Sequence, residues 1–180
     1  MTTKFITSDL HFGHRRIMEF CPNTRKFKDV DHMNESMIQA WNDVVGVNDE
    51  VYILGDVAFC NAEKAASILA RLNGTKILVE GNHDSKLVKH EQFRAQFKEI
   101  HKYLRLHYEG HVLVLFHFPI WEWDEMQHGS IQFYGHVHGG KTGLEKYRAR
   151  DVAMDATGRI VSRLDDMIRD ALKGEIRAHH

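Results

Sequence analysis

Short apolar runs separated by segments with helical spacing make up the first half of the chain. Three of these runs predict buried strands, at residues 5–8, 51–54 and 76–79. The intervening and following segments place apolar residues on one helical face and predict helices, at residues 14–20, 32–45, 62–72 and 86–97. Asp31 is the expected N-cap of the second helix, because its carboxylate can accept hydrogen bonds from free backbone N–H groups. Strands and helices that alternate with short connections are typical of parallel βαβ units.

The second half of the chain has a different pattern. Four further strands are predicted, at residues 103–107, 112–116, 131–134 and 152–154. No long helical pattern separates them, so we expect a mixed or antiparallel second sheet. Ser162 and Asp165 predict the start of a last helix, since they resemble a capping box with Asp in place of Glu. The whole pattern predicts an α/β fold in which two sheets lie face to face with helices outside.

Length and composition suit one folded domain. The chain has 180 residues, of which 43% are hydrophobic, and we expect residues 1–178 to form a single domain. His179 and His180 could be the beginning of an affinity tag and are left out of the chemistry. The formal net charge of −1 provides no strong field to attract an anionic membrane or a long nucleic acid.

The cysteines and the hydropathy pattern favour a cytoplasmic location. Cys21 and Cys60 form no recognisable disulfide framework, and we expect both to be unpaired, buried thiols. No signal peptide is recognisable, and no apolar run approaches the ~20 residues of a membrane-spanning helix. We therefore expect residence in a reducing cytoplasm and no membrane partner.

Five short stretches carry side chains that bind divalent metal ions. They are Asp9-Leu10-His11, Gly55-Asp56, Gly81-Asn82-His83-Asp84, His117 and Gly135-His136-Val137-His138. Most of them come directly after a predicted strand, so we expect their side chains to gather at one edge of the sheets. Carboxylate and imidazole ligands suit Mn²⁺, Fe²⁺, Zn²⁺ or Ni²⁺ better than Ca²⁺. Two such ions about 3.5–4 Å apart are a known arrangement for cleaving phosphate esters.

Each stretch taken alone has a simpler interpretation. Asp9 and Asp56 also suit turns or helix N-caps. His117 also suits a hydrogen-bonded position in the core. His136 and His138 alternate along a strand-like segment, which places both on one face. The five stretches together, in this order, are what favour a metal site over these alternatives.

The order of the stretches resembles that of the calcineurin-like metallophosphoesterases. The pattern of that family is Asp-x-His, Gly-Asp, Gly-Asn-His-Asp/Glu, a lone His after a strand, and Gly-His-x-His. Every block occurs here in that order between Asp9 and His138. The opening stretch, from Thr7 to His14, is most similar to a small single-domain branch of the family. The resemblance implies a four-layer α-β-β-α sandwich of two mixed sheets flanked by helices.

The resemblance also implies a set of metal ligands. A first ion would be bound by Asp9, His11, Asp56 and His138, and a second by Asp56, Asn82, His117 and His136. Two divalent ions per chain are thus expected, with Mn²⁺ favoured and Fe²⁺, Zn²⁺ or Ni²⁺ as alternatives. Asp56 would bridge the ions and reduce their mutual repulsion. A hydroxide bridging the two ions would be the nucleophile.

His83 and Asp84 are the expected catalytic residues beside the metals. The resemblance implies that His83 lies next to the ions without binding them. It would stabilise charge on the phosphoryl oxygens or protonate the leaving group. Asp84 could orient the His83 ring by accepting a hydrogen bond from its other nitrogen.

Several residues near these stretches are candidates for binding substrate. His14 lies shortly after His11 and could contact the phosphate. Arg15, Arg16 and Arg25 could bind a second charged group, although charges on a solvated loop are the alternative. Trp121 and Trp123 follow His117 and could stack on a ring of the substrate, form a hydrophobic lid or contact a second subunit.

The function that the sequence favours is metal-dependent hydrolysis of a small phosphate ester. A phosphodiester of nucleotide-like size is preferred, because His83 provides an acid for a poor leaving group. A phosphomonoesterase or phosphoprotein phosphatase of the same fold is the alternative. A catalytically silent scaffold would show decayed ligands, whereas all seven positions are intact. A nuclease for long nucleic acids would need a basic groove, which the balanced charge argues against.

Overall fold

The structure of the chain, a computed structural model, describes residues 2–178. Five strands form the first sheet: β1 (Lys4–Thr7), β2 (Glu50–Ile53), β3 (Thr75–Val79), β4 (Glu99–His101) and β9 (Ser162–Arg163). Their order across the sheet is β4-β3-β2-β1-β9. β1 to β4 run parallel, and β9 pairs antiparallel with β1. The parallel βαβ arrangement predicted for the first half of the chain is therefore confirmed.

Four strands form the second sheet: β5 (Leu104–Tyr108), β6 (His111–Leu115), β7 (Ile131–Tyr134) and β8 (Ala149–Asp151). Their order follows the chain, β5-β6-β7-β8. β5 and β6 form an antiparallel hairpin, while β6, β7 and β8 run parallel. Each sheet thus contains both kinds of pairing, as expected for two mixed sheets.

In the described part of the chain, six α-helices flank the sheets: α1 (Ile17–Phe20), α2 (Val30–Asn42), α3 (Ala62–Ala70), α4 (Glu91–Arg94), α5 (Met154–Thr157) and α6 (Leu164–Ala171). α2 and α3 pack on the outer face of the first sheet, where Trp41 is fully buried. Leu54 and Phe133 belong to the core between the two sheets, whose edge α6 closes. Trp123 and Met126 cover the outer face of the second sheet. The predicted sandwich is confirmed, with a loop as the cover of its second sheet.

Several predicted element boundaries are wrong. The strand predicted at 152–154 lies earlier, at β8, because the Asp151 carboxylate accepts a hydrogen bond from the backbone of Ala153 and turns the chain into α5. Asp29, and not Asp31, caps α2, since the Asp29 carboxylate accepts from the backbone N–H of His32. The predicted capping box at Ser162 is absent because Ser162 pairs with Ile6 in the first sheet.

The helix predicted at 86–97 is divided into two short pieces. Leu87–Lys89 forms a 3₁₀ turn, and α4 follows after His90. His90 has extended backbone angles, with φ −95° and ψ 124°, which interrupt the helix. The break allows both Leu87 and Phe93 to reach the core, where each is buried. The chain then enters β4, a strand that the apolar pattern did not predict.

Three further expectations concern the cysteines, membrane-spanning helices and the C-terminal tag. Cys21 and Cys60 are free, as predicted, but they are only partly buried. Within residues 2–178, every helix is too short or too polar to cross a membrane. The tag predicted at 179–180 lies outside the described residues.

One edge of the sandwich collects the ends of parallel strands from both sheets. β1, β2 and β3 of the first sheet and β6 and β7 of the second are each followed by one of the five candidate metal-binding stretches. Ligand sites in open α/β sheets form at the carboxyl ends of parallel strands. This edge is therefore where the side chains of the candidate site converge.

Candidate metal centre

Short backbone contacts hold the strand ends together at this edge. The backbone N–H of Asp9 donates to the carbonyl of Gly55 at 3.0 Å, which joins the end of β1 to the end of β2. The backbone N–H of His136 donates to Asp9 Oδ2 at 2.9 Å, which joins the first sheet to the second. These two bonds bring the ligand residues of separate strands into a single cluster.

One group of ligand atoms lies around Asp9. His11 Nε2 is 3.7 Å from Asp9 Oδ1 and 3.7 Å from Asp56 Oδ2. His138 Nε2 is 3.5 Å from Asp9 Oδ1. Asp9, His11 and His138 each offer a ligand atom, and these atoms lie within 4.8 Å of one another. Ligands bound to one ion at about 2.1 Å are about 3–4 Å apart, so this spacing fits a single cation.

A second group lies around His117. Its Nε2 is 3.6 Å from Asp56 Oδ1 and 2.9 Å from Asn82 Oδ1. The His136 ring is close, with a centroid distance of 5.2 Å to the His117 ring. Asp9 also belongs to this group, since it offers a ligand atom near those of Asp56 and His117. Asp56 directs a different oxygen to each group, which is the arrangement of a bridging carboxylate.

Within residues 2–178, two buried polar atoms of the cluster find no hydrogen-bond partner. They are Asp9 Oδ1 and His11 Nε2, in residues that are 0% and 3% exposed. Burying such an atom without a partner costs about 1–3 kcal/mol. A divalent cation bound by both atoms would satisfy them at once. The donor set therefore fits a metal ion better than a purely structural hydrogen-bond network.

Most of the predicted ligands have a strained backbone. Five of them have positive φ, between 49° and 72°: Asp9, His11, Asp56, His136 and His138. Residues with a Cβ rarely adopt this left-handed conformation, and each costs of order 1 kcal/mol or more. The surrounding packing holds them there. Strain concentrated in this way is typical of functional sites, because the conformation directs the side chains into the cluster.

Two glycines allow the strand ends to approach so closely. A Cβ at Gly135 would lie 2.0 Å from Ser8 Oγ and 2.3 Å from Asp9 Oδ2. A Cβ at Gly81 would lie 2.4 Å from Asp56 Oδ1. All three distances are too short for any side chain. The glycines of the predicted motifs are thus required so that carboxylates of neighbouring strands can converge.

Three of the histidines are oriented by a hydrogen bond at Nδ1, the ring nitrogen that faces away from the cluster. His117 Nδ1 lies 2.6 Å from the carbonyl of Leu54, which can only accept, so Nδ1 carries the proton and Nε2 presents a lone pair. His138 Nδ1 lies 2.7 Å from Asp155 Oδ2. His11 Nδ1 lies 3.1 Å from His14 Nδ1. In each case Nε2 faces the cluster, as a metal ligand requires.

At Asp9 and His11 the electrostatic environment favours the charge states of metal ligands, whereas at His138 burial is outweighed by the hydrogen bond to Asp155, which raises the pKa of that imidazole. Burial lowers the pKa of His11, which keeps its imidazole neutral. Burial would raise the pKa of Asp9, but the neighbouring His11 and Ser8 side chains outweigh it and lower this pKa. Burial, together with His11 and His83, lowers the pKa of His14 to about 4. A neutral His14 can accept the hydrogen bond from His11.

Arg25 does not lie on a solvated loop, as the sequence suggested, and it is not free to bind substrate. Only 1% of its surface is exposed. Its guanidinium donates to both carboxylate oxygens of Asp155 at 2.8 Å and to the carbonyls of Asp9 and Leu10. Sequence reasoning missed Asp155, although it follows an apolar run as the other acidic residues do. Arg25 and Asp155 together support His138 and the backbone of the first motif.

We expect Arg25→Ala to destabilise the fold by about 3–5 kcal/mol. The substitution leaves the Asp155 carboxylate buried without its partner, which is the costly way to break a buried ion pair. Urea unfolding of the metal-free protein measures the change. Arg15→Ala is the control: Arg15 is exposed, and its loss should change stability by less than about 0.5 kcal/mol. Equal unfolding midpoints for the two variants would contradict the supporting role of Arg25.

The structure contradicts the predicted role of Asp84. Its two oxygens accept hydrogen bonds from the backbone N–H groups of Asp56, Val57 and Gly81, at 2.8–3.0 Å. Asp84 therefore fixes the corners after β2 and β3 against each other, and it does not orient the His83 ring. The His83 side chain is 47% exposed and its Nε2 lies 3.9 Å from Asp56 Oδ2. His83 is thus beside the cluster and accessible from solvent.

The two tryptophans lie away from the cluster. Trp123 is buried, and its Nε1 donates to Ser130 Oγ at 3.0 Å on the outer face of the second sheet. Trp121 is exposed, and the guanidinium carbon of Arg177 lies 3.9 Å from the centroid of the Trp121 ring. Burial excludes stacking on a substrate for Trp123. Trp121 contacts Arg177 and Tyr147, and it is not among the described residues that line the cavity beside the cluster.

A cavity of about 440 Å³ opens directly on the cluster. Candidate ligands and apolar residues line it together: His11, His14, Ile17, Phe20, Cys21, Asp56, Phe59, His83, His136 and His138. His14 stacks on Phe59 there, with ring centroids 4.0 Å apart. A neighbouring cavity of about 380 Å³ lies on the other side of Phe59 and His83. The cluster is therefore accessible to a small molecule from two sides.

Comparisons with known proteins show close relatives without an assigned activity. No protein-family model matches the chain. An uncharacterized protein of Methanocaldococcus jannaschii, MJ1445, is 35% identical over 145 residues, which cover 79% of this chain and 72% of that protein. The gene 66 protein of Mycobacterium phage L5 is 30% identical over 194 residues and covers 91% of each chain.

Two solved structures are similar in fold. A protein of unknown function from Aquifex aeolicus, AQ665, superposes with a TM-score of 0.76 at 22% identity, over 94% of this chain and 99% of that one. This likeness supports the fold and says nothing about activity. YfcE of E. coli, described as a phosphoesterase, has a TM-score of 0.43 at 17% identity, over 91% and 82% of the two chains. That similarity is too weak to carry an argument.

Proposed function

The chain belongs to one family with MJ1445 and the gene 66 protein of phage L5, and we propose that it is a metal-dependent phosphoesterase of the calcineurin-like type. One observation carries the proposal: Asp9 Oδ1 and His11 Nε2 are buried without partners inside a cluster of carboxylates and imidazoles. The motif resemblance supports the same conclusion independently of the geometry. The names of these relatives state no activity.

The proposed cofactor is a pair of divalent cations. Asp9, His11, Asp56 and His138 would hold one, and Asp56, Asn82, His117 and His136 the other. The mixed oxygen and nitrogen donors favour Mn²⁺, with Fe²⁺, Zn²⁺ or Ni²⁺ as alternatives. When bound, such ions lower the pKa of coordinated water to about 7 and neutralise charge on phosphoryl oxygens. The supporting observation for a pair is that Asp56 presents one oxygen to each group.

The side chains around the cluster have distinct tasks in the proposed reaction. The Nδ1 atom of His117 is hydrogen-bonded to the Leu54 carbonyl, and that of His138 to Asp155. The Nδ1 atom of His11 is hydrogen-bonded to His14. These bonds fix the three rings before substrate binds. His83 has a free, solvent-accessible ring beside Asp56. From that position His83 would bind the phosphoryl group and donate a proton to the leaving oxygen. Asp84 keeps the peptide of His83 in place through the corner it fixes.

A small phosphodiester is the preferred substrate. A diester carries two organic groups, and the cavities of about 440 and 380 Å³ on either side of Phe59 and His83 could each take one. An acid at His83 is also most useful for the poor leaving group of a diester. The proposed location remains the cytoplasm, in keeping with the free cysteines.

We expect Mn²⁺-loaded protein to hydrolyse bis(4-nitrophenyl) phosphate faster than 4-nitrophenyl phosphate. Release of nitrophenolate, followed by absorbance, gives kcat/KM for both esters under the same conditions. Faster turnover of the monoester would favour the phosphomonoesterase alternative. Turnover of neither ester, together with well under one bound ion per chain, would favour the catalytically silent scaffold.

A further inference from the structure

One wall of the 440 Å³ cavity is apolar, although the opposite wall carries the candidate metal ligands. Ile17 and Phe20 of α1 form this wall with Phe59, which follows the corner after β2. Phe20 is 57% exposed, while Ile17 beneath it is buried. A large exposed aromatic ring at the mouth of a polar site leaves apolar surface in water that a ligand could cover.

The rings of this wall are held in place. Phe59 is stacked on His14 with an interplanar angle of 11°, and its centroid is 4.4 Å from that of His83. The guanidinium of Arg16 lies 4.9 Å from the centroid of Phe20, one helical turn away. Arg16 is itself exposed. An aromatic ring beside an arginine is a combination that proteins use to stack on nucleobases.

We propose that this wall binds a planar aromatic arm of the substrate, of the size of a nucleoside, with Phe20 as the stacking residue. The inference rests on the proposed phosphoesterase function, since the phosphate of the same molecule would lie against the candidate ligands. The cavity volume falls in the range of small-molecule sites, about 300–1,000 Å³. The wall and the ligands share one cavity, so a ring and a phosphate joined by a short linker can occupy both.

This assignment replaces the stacking role that the sequence suggested for Trp121 and Trp123. Trp123 is buried on the outer face of the second sheet, and Trp121 packs against Arg177 and Tyr147. Phe20 was not singled out because a lone aromatic residue in a short helix is normally a core residue. Its exposure in the fold is what distinguishes it.

Binding of two phosphate monoesters tests the proposal. Adenosine 5′-monophosphate and ribose 5-phosphate carry the same phosphate, and only the first has a planar ring. Calorimetric titration of Mn²⁺-loaded protein should give at least tenfold tighter binding of the adenosine ester. Phe20→Ala should weaken binding of adenosine 5′-monophosphate by about tenfold, the change typical of a lost base–aromatic stack. The affinity for ribose 5-phosphate should stay within about twofold of the parent value.

Two matched variants separate stacking from general hydrophobicity. Phe20→Trp restores a planar ring and should keep the preference, whereas Phe20→Leu is apolar without a ring face and should lose it. Trp121→Ala is the control, because Trp121 is 54% exposed but lies outside the cavity. It should leave both affinities unchanged.

Equal affinities of the parent protein for the two esters would overturn the proposal. An equal loss of affinity for both esters in Phe20→Ala would also overturn it. So would a Trp121→Ala variant that no longer binds the adenosine ester more tightly than ribose 5-phosphate. Hydrolysis of bis(4-nitrophenyl) phosphate by the same preparation distinguishes the two levels of the account. Normal hydrolysis with equal affinities would contradict only the proposed aromatic subsite. Failure of the protein both to bind Mn²⁺ and to hydrolyse the ester would contradict the proposed phosphoesterase function as well.

Discussion

Asp56→Asn should reduce bound metal from about two ions per chain to fewer than one and abolish hydrolysis. The two oxygens of Asp56 face different ligand groups, His11 on one side and His117 on the other. Asparagine retains one oxygen and no charge, so it cannot offset the repulsion between two cations. Elemental analysis of desalted protein, after expression with Mn²⁺, measures the stoichiometry.

The fold itself should tolerate this substitution. Asp56 Oδ1 accepts a hydrogen bond from the backbone N–H of His83 at 3.1 Å, which the asparagine oxygen can also accept. Thermal unfolding of the metal-free variant should therefore match that of the metal-free parent within a few degrees. Asp31→Asn is the matched control, because the Asp31 side chain is 81% exposed on α2. Retention of two ions in Asp56→Asn would contradict the bridging role.

His83→Ala should leave the metal content near normal and lower kcat by about 10²-fold or more. The His83 ring lies beside the cluster, 3.9 Å from Asp56 Oδ2, and is about half exposed. Loss of a general acid or of a group that stabilises charge has an effect of this size. Rates with bis(4-nitrophenyl) phosphate, together with elemental analysis of the same sample, provide both quantities.

The leaving group provides a further check on His83. An ester with a less acidic leaving alcohol needs protonation more, so it should suffer the larger loss in His83→Ala. His128→Ala is the control, since His128 is exposed on the cover of the second sheet. Loss of metal in His83→Ala to the same extent as in Asp56→Asn would show that His83 acts as a ligand and refute the assigned role.

Much of the cluster could be predicted because its signals are local. Each candidate ligand follows a short apolar strand, and parallel strands bring their carboxyl ends to one edge. Asp9, Asp56 and Asn82 come from three neighbouring strands of the first sheet. His117 and His136 come from two neighbouring strands of the second. The order of the motifs and the alternation of strands and helices were therefore sufficient to predict the layers of the fold and the edge at which the candidate ligands converge.

The supporting contacts could not be predicted, because they join residues far apart in the chain. Arg25 and Asp155 are 130 positions apart, and no local pattern pairs them. Asp84 has the same chemical character whether it holds backbone N–H groups or a histidine ring, and only its position decides between the two. The helix predicted at 86–97 failed for a related reason. Its apolar spacing was consistent with a helix, yet burying Leu87 and Phe93 together required an extended residue at His90.

A crystal structure of the Mn²⁺-loaded protein, with anomalous scattering recorded near the manganese edge, tests the central claim most directly. Two anomalous peaks about 3.5–4 Å apart are expected, one on each side of the Asp56 carboxylate. His11 and His138 should bind the first ion through Nε2, and His117 the second. Peaks located away from Asp56, or no peak within bonding distance of Asp9 Oδ1 and His11 Nε2, would contradict it.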